Sequence, residues 1–178
     1  MNQMNATHIR INRSSLHRLK SLRGNTTVEM ALLLLPFFLM IMGVVEMGWF
    51  FFHEHTLQYA TREGMRLALV GGTLLDEQGN PLSREDSIIK TIKEKAASAM
   101  NPDDLQIWIF KVGSNYESPI GWENLAPNAG NPADYMRIAV RYSHEFLVVP
   151  LISNFFTNDN AITLGAEATY RNELFQTT

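Results

Sequence analysis

The chain has 178 residues, with 15 Lys and Arg, 18 Asp and Glu, and no cysteine. This length is enough for a membrane helix and one domain of ordinary size, which argues against a multi-domain enzyme. The absence of cysteine excludes disulfide bonds, thiol nucleophiles and thiolate metal ligands.

The charged residues are unevenly distributed along the chain. Residues 1–24 contain five Lys and Arg and no acidic residue, whereas the remaining sequence contains ten Lys and Arg and 18 acidic residues. Basic residues beside the first apolar segment of a membrane protein stay in the cytoplasm. We therefore predict that residues 1–24 form a basic cytoplasmic leader. The acidic remainder argues against nucleic-acid binding, which needs a basic surface.

Residues 30–52 form an apolar run of 23 residues whose single charged residue is Glu46. At a rise of about 1.5 Å per residue, a helix of this length spans the hydrocarbon core of a bilayer, about 30 Å thick. The run is longer than the apolar region of a secretory signal, and no small-residue cleavage site follows it. The sequence therefore predicts one transmembrane helix. Glu46 is expected near its outer boundary, either as an interfacial carboxylate or as a partner for another subunit.

A second acidic residue, Glu29, stands at the start of the apolar run, five residues after Gly24. A carboxylate in hydrocarbon costs about 2.5–3.5 kcal/mol unless it is paired. The arrangement resembles the processing site of type IV prepilins and pseudopilins, although that family usually has Phe or Tyr where this chain has Met30. The resemblance implies that a prepilin peptidase cleaves between Gly24 and Asn25. It also implies that Glu29 then pairs with the new α-amine of Asn25 in a neighbouring subunit.

The helix is expected to continue beyond the membrane as far as Val70, because Gly71 and Gly72 follow. Five residues share one face of this extension: Leu57, Ala60, Thr61, Gly64 and Ala68. The small side chains among them allow another element to approach closely, either a neighbouring membrane helix or the core of the following domain. Residues 25–72 are thus predicted to form the transmembrane helix and its periplasmic extension.

Two segments of this helix resemble the recurrent sequences of the TadE-like family, the pseudopilins of tight-adherence (Flp) pili. They are GVVEMGWFF at 43–51 and ATREGMRLALV at 60–70, and residues 136–173 resemble the C-terminal part of the same family. The resemblance implies a minor pilin that takes part in assembly of a Tad/Flp pilus, and thereby in adhesion and biofilm formation. The implied partners are a prepilin peptidase, other pilins and pseudopilins, and the inner-membrane assembly platform.

Residues 73–178 are predicted to form a periplasmic α+β domain, pilin-like, with one short helix and an antiparallel sheet of about three strands. Ser83 followed by Asp86 is typical of a helix N-cap, and this helix is expected to end near Met100. The predicted strands are 105–112, covered on both faces, and 135–142 and 161–171, each of which alternates apolar and polar residues.

Two further segments of this domain are expected to lack strands. Residues 113–132 are rich in Gly, Pro and Asn and predict a long loop, which we expect to contact a partner. Residues 146–156 are apolar and interrupted by Pro150, which favours a bend or a short helix laid on the core.

The sequence carries no recognisable catalytic or metal motif. His53 and His55 are two residues apart on a helix, so they cannot face one ion. Ser143, His144 and Glu145 have the residue types of a catalytic triad, but neighbouring strand residues point to opposite faces, and we interpret all three as surface residues. The acidic residues lack the spacing of a calcium loop, although a calcium site of a family type is left open. We therefore expect no catalytic residue, no metal site and no cofactor, and a protein that is not an enzyme.

An alternative hypothesis is an uncleaved, signal-anchored periplasmic binding or scaffold protein. In that case Gly24 and Glu29 would be coincidental, and the mature chain would keep its basic leader. The two hypotheses differ in the N-terminus of the mature protein, which begins at Asn25 only if the chain is processed.

Overall fold

The computed structural model describes residues 22–146 and 161–174. The described elements are helix α1 (Leu22–Leu69), helix α2 (Arg84–Ala96), strands β1 (Gln106–Lys111), β2 (Tyr135–Glu145) and β3 (Ala161–Arg171), and 3-10 turns at Pro102–Asp104 and Trp122–Asn124. The predicted α+β class, with a long N-terminal helix, a short helix and a three-stranded antiparallel sheet, is confirmed. The chain divides into two compact units, one ending at Val44 and the other beginning at Val45, so α1 contributes to both.

Helix α1 has 48 residues and ends at Leu69, within one residue of the end that the sequence predicts. Gly71 has a φ of 70°, a left-handed conformation that glycine adopts without a steric cost. Its N–H donates to the carbonyl of Ala68 (3.1 Å), and the N–H of Gly72 donates to that of Leu67 (3.1 Å). Such bonds satisfy carbonyls that the last turn of a helix leaves free, and they stop the helix one residue before the expected Val70.

The face of α1 that the sequence predicts to be apolar is buried in the second unit. The buried residues are Leu57, Ala60, Thr61, Gly64 and Ala68, whereas Arg62 and Arg66 are exposed. A Cβ added at Gly64 would clash with the side chain of Ile92 on α2 and would lie 3.5 Å from Ile88 Cγ2. Gly64 therefore lets α2 of the same chain approach the backbone of α1.

Helix α2 begins at the cap that the sequence predicts. The hydroxyl of Ser83 accepts from the N–H of Asp86 (3.0 Å) and donates to its carboxylate (2.7 Å). The expectation that α2 runs to Met100 is wrong, because the regular helix ends at Ala96. Turns continue from there, and the N–H of Met100 donates to the carbonyl of Ala96 (3.1 Å). Met100 is buried, so the apolar period continues through a segment that is not regular helix.

The sheet has the order β1-β2-β3 with both pairs antiparallel. One face packs on α1 and α2 to form the main core. Its strand residues are Ile109, Met136, Ile138, Val140, Leu164, Ala166 and Tyr170. The alternation of β3 also places Ile162 on this face, opposite His144, and its side chain is 44% exposed near the beginning of the strand.

The second face of the sheet is partly covered over β1 and β2, whereas the residues of β3 on this face, from Thr163 to Thr169, are exposed. Phe110, Val112 and Ala139 are buried there, and the loop side chain Trp122 packs against them. The indole N–H of Trp108 donates to the carbonyl of Glu123 (2.8 Å), which holds the loop over the strands. Residues 113–132 contain no strand, as predicted, and they cover part of β1 and β2.

The sequence Arg171-Asn172-Glu173 joins three parts of the second unit. The side-chain amide of Asn172 donates to the carbonyls of Ala129 and Asn131, both at 2.9 Å. The backbone N–H of Glu173 donates to the carbonyl of Leu69 (3.0 Å) in the last turn of α1. The chain after β3 therefore fastens both the long loop and the end of the long helix. The predicted bend at 146–156 lies outside the described residues, apart from Phe146.

Candidate functional site

The first part of α1 exposes apolar side chains along its whole circumference. Every residue from Thr26 to Met42 is exposed, including Leu33 at 69% and Phe38 at 58%. Soluble proteins rarely expose continuous apolar surface of this extent, so such a surface indicates contact with lipid or with other proteins. The helix from Thr26 to Leu69 is long and apolar enough to cross a membrane once, by its length and composition.

The residues predicted to form the processing site lie at the start of this helix. Gly24 and Asn25 belong to the first turn of α1. Glu29 and Met30 are both exposed. Glu29 is thus on the same apolar surface as the residues around it, and it is the first acidic residue that the helix presents.

Glu46 has a different environment from Glu29. Its side chain is only 8% exposed, and it belongs to the second unit, which begins at Val45. Its carboxylate acts electrostatically on the imidazole of His144, which lies on β2. Because the partner on β2 is distant in sequence, neither role considered for Glu46 from the sequence anticipated this contact within the chain.

His53 lies on the same face of α1 as Glu46, seven residues later, and is 3% exposed. Its Nε2 is 2.7 Å from the carbonyl oxygen of Ala99. A carbonyl can only accept a hydrogen bond, so Nε2 carries a proton and Nδ1 is the basic nitrogen of the neutral ring. Trp49 contacts the imidazole edge-on, with ring centroids 4.9 Å apart.

His144 packs directly against His53, with ring centroids 4.8 Å apart. It is 1% exposed, and Phe50 and Phe146 enclose it at centroid distances of 5.7 and 5.1 Å. Burial lowers the pKa of His144, the neighbouring imidazole of His53 lowers it further, and the carboxylate of Glu46 opposes both effects. The two histidines and Glu46 form a cluster that we call the histidine cluster.

The interpretation of His144 as a surface residue is wrong. Strand β2 continues three residues beyond the predicted Tyr142, so the alternation that buries Ile138 and Val140 also carries His144 to the inner face. Ser143 and Glu145 are exposed on the other side of the strand, and the three residues do not converge. Extending the alternating pattern by one more period would have identified His144 as an inner residue.

Potential metal ligands are not grouped in the described ranges 22–146 and 161–174. No set of three or more His, Asp or Glu side chains is arranged there to hold a metal ion. His55 is exposed, whereas His53 is buried, which agrees with the helical spacing that separates them.

Part of helix α1 matches a known protein family. Residues 24–66 match the family model of TadE-like proteins. The resemblance predicted from the two segments at 43–51 and 60–70 is thus confirmed over most of α1. Comparison with curated proteins and with solved structures gives no match.

The TadE-like segment, residues 24–66, combines two kinds of surface. Its first part is the exposed apolar helix that begins at Thr26, and its second part contains Glu46, His53 and Gly64, which are buried in the second unit. The family match therefore covers a helix whose first part is exposed and whose second part packs in the core of the second unit.

Proposed function

We propose that the protein is a pseudopilin that takes part in assembling a Tad/Flp-type pilus. In this proposal it crosses the bacterial inner membrane once, with residues 1–24 in the cytoplasm and the second unit in the periplasm. The observation that carries the proposal is the fully exposed apolar helix from Thr26 to Met42 inside the TadE-like segment. A helix of this kind needs either lipid or other helices around it.

The helix gives the mechanism of assembly. While the protein is stored in the membrane, the apolar side chains of α1 face lipid. During assembly the same side chains pack against the helices of other subunits. Gly43 and Gly48 allow close approach there, because a Cβ added at either would meet no atom within 4 Å in the described part of the chain beyond the adjacent helix backbone. The protein therefore passes from one apolar environment to another without exposing this surface to water.

Processing supplies a charge partner for Glu29. A prepilin peptidase cleaves between Gly24 and Asn25, which leaves Glu29 as the fifth residue and creates a free α-amine. The amine of one subunit pairs with the carboxylate of Glu29 on its neighbour, which removes the cost of a carboxylate in hydrocarbon. The partners are the peptidase, other pilins and pseudopilins, and the inner-membrane assembly platform.

The protein acts as a structural component and is the substrate of an enzyme rather than an enzyme itself. The separation of Ser143 and Glu145 from the buried His144 supports this part of the proposal. The pilus that it helps to assemble would serve adhesion and biofilm formation.

The proposal is tested by the N-terminus of the protein isolated from its native cells. Mass spectrometry should find a chain that begins at Asn25, and a Gly24→Leu variant should keep the leader and give no pili. Gly43→Leu is the matched control, since it changes a glycine of the same helix outside the cleavage site and should be processed normally. A native chain that retains residues 1–24 would overturn the proposal and favour a signal-anchored binding or scaffold protein.

A further inference from the structure

The histidine cluster joins the long helix to the sheet through two buried imidazoles. His53 is 3% exposed and His144 is 1% exposed. Within the described part of the chain, His53 Nδ1 and His144 Nε2 are buried and have no hydrogen-bond partner. A buried polar atom without a partner is rare in folded proteins and calls for an explanation. Here each of the two atoms is a site where a proton can bind.

The surroundings of the cluster limit how many protons it can hold. On α1 the facing charged group is Glu46, whose carboxylate favours the protonated form of His144. The cleft beside the two rings has a volume of about 990 Å³, and its lining includes Tyr142 and Glu145 of β2 and the carboxylates of Asp103 and Asp104. On β3 the residue opposite His144 is Ile162, which carries no charge.

A second proton meets a strong obstacle in this arrangement. Two imidazolium rings with centroids 4.8 Å apart repel each other. Glu46 can compensate one positive charge next to His144, while Asp103, Asp104 and Glu145 are exposed to water that weakens their effect. Protonation of both histidines is therefore unfavourable as long as the rings stay buried against each other.

We propose that His53, His144 and Glu46 form a pH-sensitive latch that holds the start of the second unit's helix against the end of β2. Near neutral pH the His144 ring is uncharged and the latch is closed. At acidic pH His144 takes up a proton that its burial against the His53 ring disfavours, and the turns of α1 from Glu46 to His53 separate locally from β2, while the core around Ile92 remains intact. The inference concerns this chain alone and does not depend on cleavage or on pilus assembly.

The direction of the pH effect follows from the burial of His144. Folding lowers the pKa of His144 below its ordinary value, so the unfolded or opened state binds more protons. The stabilisation is complete above the ordinary histidine pKa of about 6.5 and is lost as the pH falls through the pKa of the folded state. Each unit of difference between the two pKa values changes the closed-to-open equilibrium by up to about tenfold.

The first experiment is a titration of the full-length protein in detergent micelles. Histidine ring NMR signals are followed between about pH 5 and pH 8, the range in which histidine changes charge. We expect His144 to titrate below the ordinary histidine pKa, and the ring signals of His53, which contacts it, to change over the same pH range. Independent titration of His144 at or above about 6.5 would overturn the proposal.

The second experiment locates the opening. Amide hydrogen exchange, corrected for the intrinsic pH dependence, should rise at least about tenfold at acidic pH in residues 46–53 and 142–146, and stay unchanged in α2. In a His144→Phe variant this acid-induced rise should disappear, whereas in the control His55→Gln, at an exposed position, it should persist. Exchange that does not increase in the unmodified protein, or that increases equally in α2, would refute the latch even if His144→Phe fails to fold.

Discussion

His53 on α1 and His144 on β2 contact each other with their ring centroids 4.8 Å apart and their ring planes inclined at 56°. One of them belongs to the TadE-like segment and the other to the sheet of the second unit. The contact therefore fixes the matched helix to the domain at its beginning, while the hydrogen bond from Glu173 to Leu69 fixes it at its end.

Glu46 should control the titration of His144. Its carboxylate raises the pKa of His144, so the substitution Glu46→Gln should lower it and make the closed latch persist to more acidic pH. The measurement is the NMR titration of the His144 ring in both proteins. As a control, Glu145→Gln, which removes an exposed carboxylate on the same strand, should shift it less. An unchanged titration in Glu46→Gln would contradict the electrostatic contact.

Replacement of Glu29 should separate insertion from assembly. Glu29→Gln keeps the shape of the side chain and removes its charge, so the protein should still insert into the membrane. Loss of a pairing worth about 2.5 kcal/mol should reduce piliation by more than about tenfold. The measurement is the amount of pilus sheared from cells, with Glu77→Gln, an exposed acid outside α1, as the control. Normal piliation of Glu29→Gln would count against the proposed charge pair.

Substitution by alanine at Gly64 and at Gly48 should change the free energy of unfolding in opposite directions. Alanine at Gly64 would clash with Ile92, and overpacking of this kind costs about 1–3 kcal/mol in the free energy of unfolding. The Cβ of an alanine at Gly48 would meet no atom within 4 Å among the residues that the structure describes, apart from the adjacent helix backbone, so Gly48→Ala should stabilise the helix by about 0.5–1 kcal/mol. Denaturant unfolding in micelles measures both. In the double variant with Ile92→Ala, the cost of Gly64→Ala should become smaller, and simple additivity would show that the two residues are not in contact.

The ion pair of Lys111 and Asp134 should make the free energy of unfolding decrease as the pH falls into the acidic range. Their side chains lie 2.6 Å apart, and the Lys111 ammonium together with the N–H of Asn131 lowers the pKa of the Asp134 carboxyl. This contribution is present above the ordinary aspartate pKa of about 3.9 and is lost as the pH falls through the folded-state pKa. Lys111→Met should therefore cost about 0.5 kcal/mol at neutral pH, as an exposed pair does, and nothing once Asp134 is protonated. Lys93→Met, at a looser pair of 3.2 Å with an exposed Asp103, should show a smaller effect.

Arg141 should hold the long loop on the sheet. Its guanidinium lies 5.5 Å from the ring centre of Trp108 and 5.2 Å from that of Trp122, and it pairs with Glu123 at 2.7 Å. A lysine cannot reproduce both the planar stacking and the fork-shaped hydrogen bonding, so Arg141→Lys should cost about 1 kcal/mol. Limited proteolysis should then cleave residues 113–132 faster. The exposed Arg62→Lys serves as a control, and equal cleavage rates would refute this role of Arg141.

Local patterns in the sequence were sufficient to predict the helices and strands of the fold. The end of α1 before Gly71, the cap at Ser83 and the alternation of β3 depend on residues close together in the chain, and each was predicted within a few residues. The exposed apolar helix and the resemblance of residues 24–66 were equally visible, because one continuous segment carries both.

Contacts between residues far apart in the chain could not be predicted from local sequence patterns. The partner of Glu46 lies on β2, and nothing near Glu46 in the sequence points to it. Ala139 is buried because Trp122 covers its face of the sheet, and Trp122 belongs to a loop without a periodic pattern. His144 was missed for a smaller reason, since the alternating pattern was ended one period too early.

The fastening of α1 by the chain after β3 has a practical consequence for shortened versions of this protein. A chain cut after Arg171 would lose the amide of Asn172, which holds Ala129 and Asn131, together with the N–H that Glu173 donates to Leu69. The last turn of α1 and the loop 113–132 would then both lose contacts that hold them in place. Affinity tags and reporter fusions should therefore be joined beyond Leu174, so that the hydrogen bonds of Asn172 and Glu173 are kept.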